Sequence, residues 1–163
     1  MFNLSELPRG GTMCLSKTGL ISTDAAMDIV SPNGAGIDFA IGGVLYHAAD
    51  QINTAITACD EQAVLTTCIY LVCMAAAVSP GTMSVVKGTE VLTADIASDK
   101  CVLTWPQPLV NTCPIAAFKV VLASTATFTS GTTQVDDANV TTTFCDLFVV
   151  PDKPVTSAWN PFA

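Results

Sequence analysis

The sequence predicts an all-β protein: a compact antiparallel β-barrel or sandwich, jelly-roll-like, with an extended N-terminal arm and a C-terminal tail. Three observations predict it. Residues 62 to 86 form a run of twenty-five without a charge, and its middle, Thr67-Cys68-Ile69-Tyr70-Leu71-Val72-Cys73-Met74, is β-branched, aromatic or apolar almost throughout. Such a run is long enough to span a bilayer. It carries Thr66, Thr67 and Ser79, however, and Pro80-Gly81 breaks it, so it reads as buried strand, turn, strand. Second, Thr, Val and Ile supply 47 of the 163 residues, and these side chains fit a pleated, half-buried surface better than a helix. Third, no 3.6-residue apolar period persists long enough to demand a major helix; only Ser22 to Ile29 suits a short one.

Taken in order, residues 1–36 are rich in Gly, Ser, Pro and Asn and read as an arm and loops, with one short strand around Gly19 to Ser22 and a turn at Ser31-Pro32-Asn33-Gly34. This part is not required by the core. Residues 37–150 read as the β domain. Ile37 to Ile41 and Val44 to His47 flank Gly42-Gly43, and two glycines free to take positive φ are what a two-residue hairpin needs. Asn53 to Cys59 is a weaker strand and Ala63 to Ala76 the long central one. Ser79-Pro80-Gly81-Thr82 turns the chain into Met83 to Lys87. Val91 to Ala97 is ambiguous. Pro106, Pro108 and Pro114 make residues 104–114 a loop or an edge segment. Ile115 to Ala123 and Thr141 to Val150 are strands joined through Ser130-Gly131, which makes about eight strands in all. Residues 151–163 are a C-terminal tail.

At 163 residues one domain buries roughly two thirds of the surface its unfolded chain exposes. Half of the residues are hydrophobic and only 12% are charged, more apolar material than a lone domain of this size needs to hide. Part of it is expected to face other subunits. The net charge is −8, and the six cations, Arg9, Lys17, Lys87, Lys100, Lys119 and Lys153, stand singly. No basic stripe offers a row of phosphates its counter-charges, and no polybasic cluster suits an anionic membrane. Nucleic acid and membrane are therefore not expected partners. Met1 to Gly11 has neither a basic start nor an apolar stretch of signal-peptide length, so the chain is expected to fold in the cytoplasm where it is made.

Chemistry is sparse. General acid and base catalysis needs a group tuned near neutral pH. The one histidine, His47, sits beside Tyr46 in an apolar strand, while most carboxylates fall in turn-like contexts such as Asp60-Glu61, Asp95 to Asp99 and Asp136-Asp137. Asp136-Asp137 with Asn139 offers a weak alternative, Ca²⁺ held between subunits, but six or more oxygen ligands are needed and there is no EF-hand spacing. There is no GxSxG, GxGxxG or Walker loop. Neither an enzyme nor a small-molecule substrate is expected, and no cofactor. Seven cysteines, Cys14, Cys59, Cys68, Cys73, Cys101, Cys113 and Cys145, cannot all pair, and a reducing compartment keeps most as small buried hydrophobes. Cys101 and Cys113 bracket a proline-containing loop and are the pair open to oxidation after release from the cell. Cys68 and Cys73 are five residues apart on one strand and point to opposite faces, so they do not share a metal.

Two segments carry a family pattern. One is Val44 to Lys87, with LYHAADQINTAITACDEQAVLTTCIYLVC followed by a PGT turn and SVVKGTE; the other is Pro114 to Pro151, PIAAFKVVLASTATFTSGTTQVDDANVTTTFCDLFVVP. Both are similar to small structural proteins that decorate or cement the heads of tailed bacteriophages. The resemblance covers about half the chain and rests on no catalytic motif. It implies a trimeric β-barrel or sandwich on the outer capsid surface of the virion, where a homotrimer ties neighbouring major capsid protein subunits together after the shell expands. The cysteine content departs from the pattern and leaves room for another virion role, a tail-fibre or receptor-binding module. In that case Trp105 is the mid-chain aromatic available to stack on a sugar.

The termini are the candidate partner contacts. Phe2, Leu4 and Leu7 lie on a segment with Pro8 and Gly10-Gly11, and Trp159 and Phe162 lie in a tail with Pro154 and Pro161. Large apolar side chains on such segments either anchor in a neighbour's pocket or pack back on their own domain; both outcomes are open.

Overall fold

The computed structural model describes residues 11–23, 26–32, 34–76, 81–135 and 137–148. Among them the chain forms β1 (Met13–Cys14), β2 (Leu20–Thr23), β3 (Ala26–Ile29), β4 (Ile37–Ile41), β5 (Val44–Ala48), β6 (Gln51–Ala55), β7 (Thr66–Ala75), β8 (Met83–Lys87), β9 (Val91–Leu92), a single helical turn α1 (Thr93–Ala97), β10 (Thr112–Leu122) and β11 (Val140–Asp146). The class is all-β, and every ladder is antiparallel. Three sheets result: β11-β10-β7-β8 with β9 also on β7, β1-β4-β5, and β2-β3-β6. β1 and β4 lie against β10.

The uncharged run becomes β7, the centre of the largest sheet, with nine of its ten residues buried. A strand covered on both faces loses the alternation of polar and apolar residues and reads as continuous hydrophobe. Cys68, Tyr70, Val72 and Met74 point into the main core, while Ile69, Leu71 and Cys73 enter a second, smaller cluster with Ala117. Cys68 and Cys73 thus sit on opposite faces, as their odd spacing predicts. In the main core Tyr70 lies opposite Phe118 on β10, their rings stacked at 4.9 Å, and Phe128 meets Tyr70 edge-on at 5.5 Å. Aromatic pairs of this kind add about 0.5–1.5 kcal/mol each beyond the area they bury.

The N-terminal part requires a correction. Over residues 11–36 the chain is not an arm with one short strand but contributes β1, β2 and β3, and Cys14, Leu20, Met27 and Ile29 are core residues. The segment 22–29 is not helical either: β2 and β3 pair antiparallel from Leu20↔Ile29 to Thr23↔Ala26. Its polar residues, which make it resemble a loop, are consumed by bonds to partners remote along the chain. The buried Asp28 carboxylate accepts the Asn53 N–H at 2.5 Å where the β3–β6 ladder shifts register, and Thr18 donates to Asp146. The turn at Ser31 forms as expected, with Gly34 N–H donating to the Ser31 carbonyl at 2.9 Å.

Smaller differences have similar causes. The hairpin at Gly42-Gly43 forms with φ of +60° and +81°, the primed-turn geometry that matches strand twist. The weak strand expected from Asn53 starts earlier, as β6. Val91 to Ala97 divides into β9 and α1. The prolines at 106 and 108 keep residues 101–109 out of any strand, but Pro114 lies inside β10, where the register with β7 shifts between Pro114 and Ala116. A bulge tolerates the residue that has no N–H to give. Gln62 is completely buried: its amide donates to the carbonyls of Thr66 (3.1 Å) and Val120 (3.3 Å) and accepts from Tyr70 O–H (3.0 Å). One side chain thereby ties the 56–65 loop to β7 and β10.

Candidate interaction surface

All five partner residues expected from the sequence, Phe2, Leu4, Leu7, Trp159 and Phe162, lie outside the described residues. Among those described, large apolar side chains stand exposed on several elements, including Ile21, Ile52, Leu65 and Leu92, and they form groups at two further places. The first is the β4–β5 hairpin, where Val44 and Leu45 follow the glycine turn and are 55% and 70% exposed. Among the described residues β5 is an edge strand, and the backbone groups on its outer side have no ladder partner there. The second is the strap 98–111. It covers the second face of β7 by setting Leu103 against the cluster of Ile69, Leu71 and Cys73. It runs close over Gly88, where an added Cβ would come within 2.8 Å of the Ile69 carbonyl and 3.4 Å of that of Thr104. Leu103 joins Val86 and Leu147 on the cluster, and the strap leaves Val102 and Val110 outside at 82% and 88% exposure, with Trp105 and Leu109 about half exposed.

Beside the first outcrop is an open groove of about 460 Å³ lined by Leu15, Ser16, Asp38, Leu45, Tyr46 and His47. Its shape follows from β1-β4-β5 pairing. Leu15 N–H donates to the Asp38 carbonyl (2.9 Å), and Asp38 N–H donates to Ser16 Oγ (3.0 Å), which carries the chain beyond β1 along β4. Asp38 and His47 are partners in the β4–β5 register, with His47 Nδ1 2.8 Å from Asp38 Oδ1. The only histidine is therefore an exposed member of a cross-strand pair. That placement differs from the apolar strand setting suggested by its neighbour Tyr46, because alternation puts Tyr46 and His47 on opposite faces.

A second polar cluster fastens the turn after β8. Lys87 Nζ donates to the Glu61 carbonyl (2.8 Å) and lies 2.5 Å from Glu90 Oε1. Burial acts to raise the Glu90 carboxyl, but hydrogen bonds from Lys87, the Ala63 N–H and Thr66, with the Lys87 charge, outweigh it and hold the group below its ordinary value. All seven cysteines are free thiols. Cys101 is exposed and Cys113 fully buried, so the two stand unpaired in different surroundings. Burial pushes Cys68 and Cys145 up to about 11 and Cys113 to about 12, and raises Cys14 and Cys73 as well. Neutral thiols with such values are poor nucleophiles at neutral pH. Among the described residues no group of three or more His, Cys, Asp and Glu side chains could hold a metal ion, and no helix is long and apolar enough to cross a membrane.

Neither the groove nor the outward Val44 and Leu45 is evident from the residues alone. The available signal is the pair of apolar residues directly after a Gly-Gly hairpin, but edge position is a property of sheet order. Compared with protein-family models, curated proteins and solved structures, the chain matches none.

Proposed function

We propose that this chain is a virion structural protein of a tailed bacteriophage, a capsid decoration or cement protein that forms a homotrimer on the outer capsid surface and bridges neighbouring major capsid protein subunits. The single observation that carries the reading is that a buried β core coexists with exposed apolar side chains on separate elements, Val44-Leu45 and the strap from Val102 to Val110 among them. Two such surfaces on one small domain suit a protein that must touch both a copy of itself and a scaffold. The terminal apolar residues Phe2, Leu4, Leu7, Trp159 and Phe162 add anchors to these surfaces. The resemblance of Val44 to Lys87 and Pro114 to Pro151 to head cement proteins suggests the identity of the scaffold, and the charge of −8 suits a position outside the shell, away from packaged DNA.

The action is adhesive. Each copy adds modest buried area across a subunit boundary, and many copies on a closed shell multiply it, because a bridge released at one contact is held at the next. The test is light scattering of the purified chain followed by sedimentation with expanded shells that lack it. A trimer that pellets saturably supports the reading; a monomer that ignores shells overturns it. A fibre module that stacks a glycan on Trp105 is the second reading, favoured by the 42% exposure of that ring. Retention on host envelopes without retention on shells selects it.

A further inference from the structure

We infer that the free edge of β5 pairs with β5 of a second copy of this chain, antiparallel about a two-fold axis at Tyr46, so that two β1-β4-β5 sheets become one continuous sheet. The inference goes beyond the proposed function and does not rest on it. A two-fold contact uses the edge of one copy on one other copy and cannot close a ring of three, so it joins copies that belong to different trimers.

Hydrogen-bond direction is the first ground. The Asp38 carbonyl accepts from Leu15 N–H at 2.9 Å, and Asp38 N–H donates to Ser16 Oγ at 3.0 Å, so both backbone groups of Asp38 face β1. In an antiparallel ladder the residue opposite such a position belongs to a non-hydrogen-bonded pair and turns its own N–H and C=O to the other side. His47 stands opposite Asp38, and Leu45, two positions earlier, stands opposite Ala40. Their N–H and C=O groups therefore point away from β4, where among the described residues no ladder partner meets them. Edge strands that are kept from pairing carry Lys, Pro or a bulge. β5 reads Val44-Leu45-Tyr46-His47-Ala48, has none of the three, and pairs β4 without a shift of register.

Self-complementarity decides the occupant. A two-fold axis at Tyr46 sets Leu45 opposite His47 of the second copy and His47 opposite its Leu45. Each of these pairs exchanges two N–H to C=O bonds, which satisfies every outward backbone group of Leu45 and His47 on both copies. The same register sets Val44 opposite Ala48 and Tyr46 opposite itself, which extends the stacked Phe39–Tyr46 pair (5.7 Å) across the junction. Charge agrees. Two copies of a chain with a net charge of −8 meet along a strand that holds no carboxylate, and Asp38, one strand away, is already paired with His47. The first carboxylate past the strand, Asp50, falls at the Gly42-Gly43 turn of the second copy.

The experiment mixes two full-length variants, Leu45→Cys and His47→Cys, each also carrying Cys101→Ser to remove the exposed native thiol. A short bis-methanethiosulfonate reagent then links thiols that stand opposite one another. The expected product is a covalent dimer whose peptide map joins positions 45 and 47, in about fivefold higher yield from the mixture than from either variant alone, because like positions are only diagonal neighbours. Leu45→Pro provides the second measurement. The N–H it removes faces the free edge, so the β4–β5 ladder and the far-ultraviolet spectrum should be unchanged while the particle mass by light scattering at least halves. Equal yields from the single variants, a link to another segment, no link, or an unchanged mass would each overturn the inference. Failure to pellet with shells while the 45–47 link forms overturns the cement reading alone.

Discussion

The β7–β10 ladder and the β4–β5 hairpin use the same residue types to opposite ends. In β7 and β10, valine, isoleucine, leucine and phenylalanine are covered from both sides, by the main core and by Val86, Leu103 of the strap and Leu147. In the hairpin, Ile37 and Phe39 are buried while Val44 and Leu45, directly after the turn, stand in solvent. An apolar side chain on a central strand contributes to stability, whereas one on an edge strand contributes only when something else arrives. Among the described residues the exposed apolar side chains thus include a pair at one sheet edge and a group on one strap, with Ile21, Ile52, Leu65 and Leu92 exposed elsewhere.

Alkaline pH should act most strongly on the interior region. Unfolded thiols ionise near 9, while burial holds Cys68 and Cys145 near 11 and Cys113 near 12. A folded state that keeps its protons while the unfolded state loses them becomes less stable as pH rises. Stability should be level up to about pH 9 and fall steeply from 9 to 12, with global unfolding on that limb; denaturant midpoints across the range check it. A flat profile to pH 12 would mean that these thiols are not buried.

Phe118→Ala should cost about 3–5 kcal/mol, because the ring is fully buried between Tyr70, Phe128 and Phe144. Tyr70→Phe, which removes only the donor to Gln62, should cost about 1–3 kcal/mol by leaving a buried carbonyl oxygen without its partner. Urea titration distinguishes the two, and equal losses would show that the Gln62 tie carries more than a single hydrogen bond.

Gly42→Ala tests the hairpin itself. With φ at +60° and no neighbour within 4 Å of an added Cβ, the cost is backbone strain alone, about 1–2 kcal/mol. Gly36→Ala in the same sheet should cost more, since its Cβ would fall 2.2 Å from the Ala48 carbonyl. Smallest of all for stability is Val110→Ser, within about 0.5 kcal/mol. Its expected effect appears instead as weaker self-association or shell binding, measured by light scattering and pelleting.

What was legible in the residues follows from short-range physics. Gly42-Gly43 specifies its turn because only glycine takes both positive φ values cheaply, and the uncharged run specifies a doubly covered strand because no charge survives there. The segment 11–36 was misread because Ser, Asp, Gly and Asn look like loop until Asp28 finds Asn53 and Thr18 finds Asp146, partners 25 and 128 positions away. Gln62 is a similar case, a polar side chain that reads as surface and is completely buried between two strands.

The sequence by itself determined the all-β class, the central strand, the glycine hairpin and the opposite facing of Cys68 and Cys73, because these depend on backbone preference and on a period of two. Only the tertiary structure decided that residues 11–36 join the core, that β5 is an edge and that Leu15, Asp38, Leu45 and His47 share one groove. Sheet order and register bring together residues remote along the chain, and no local preference encodes which strand will be left with an unpaired side.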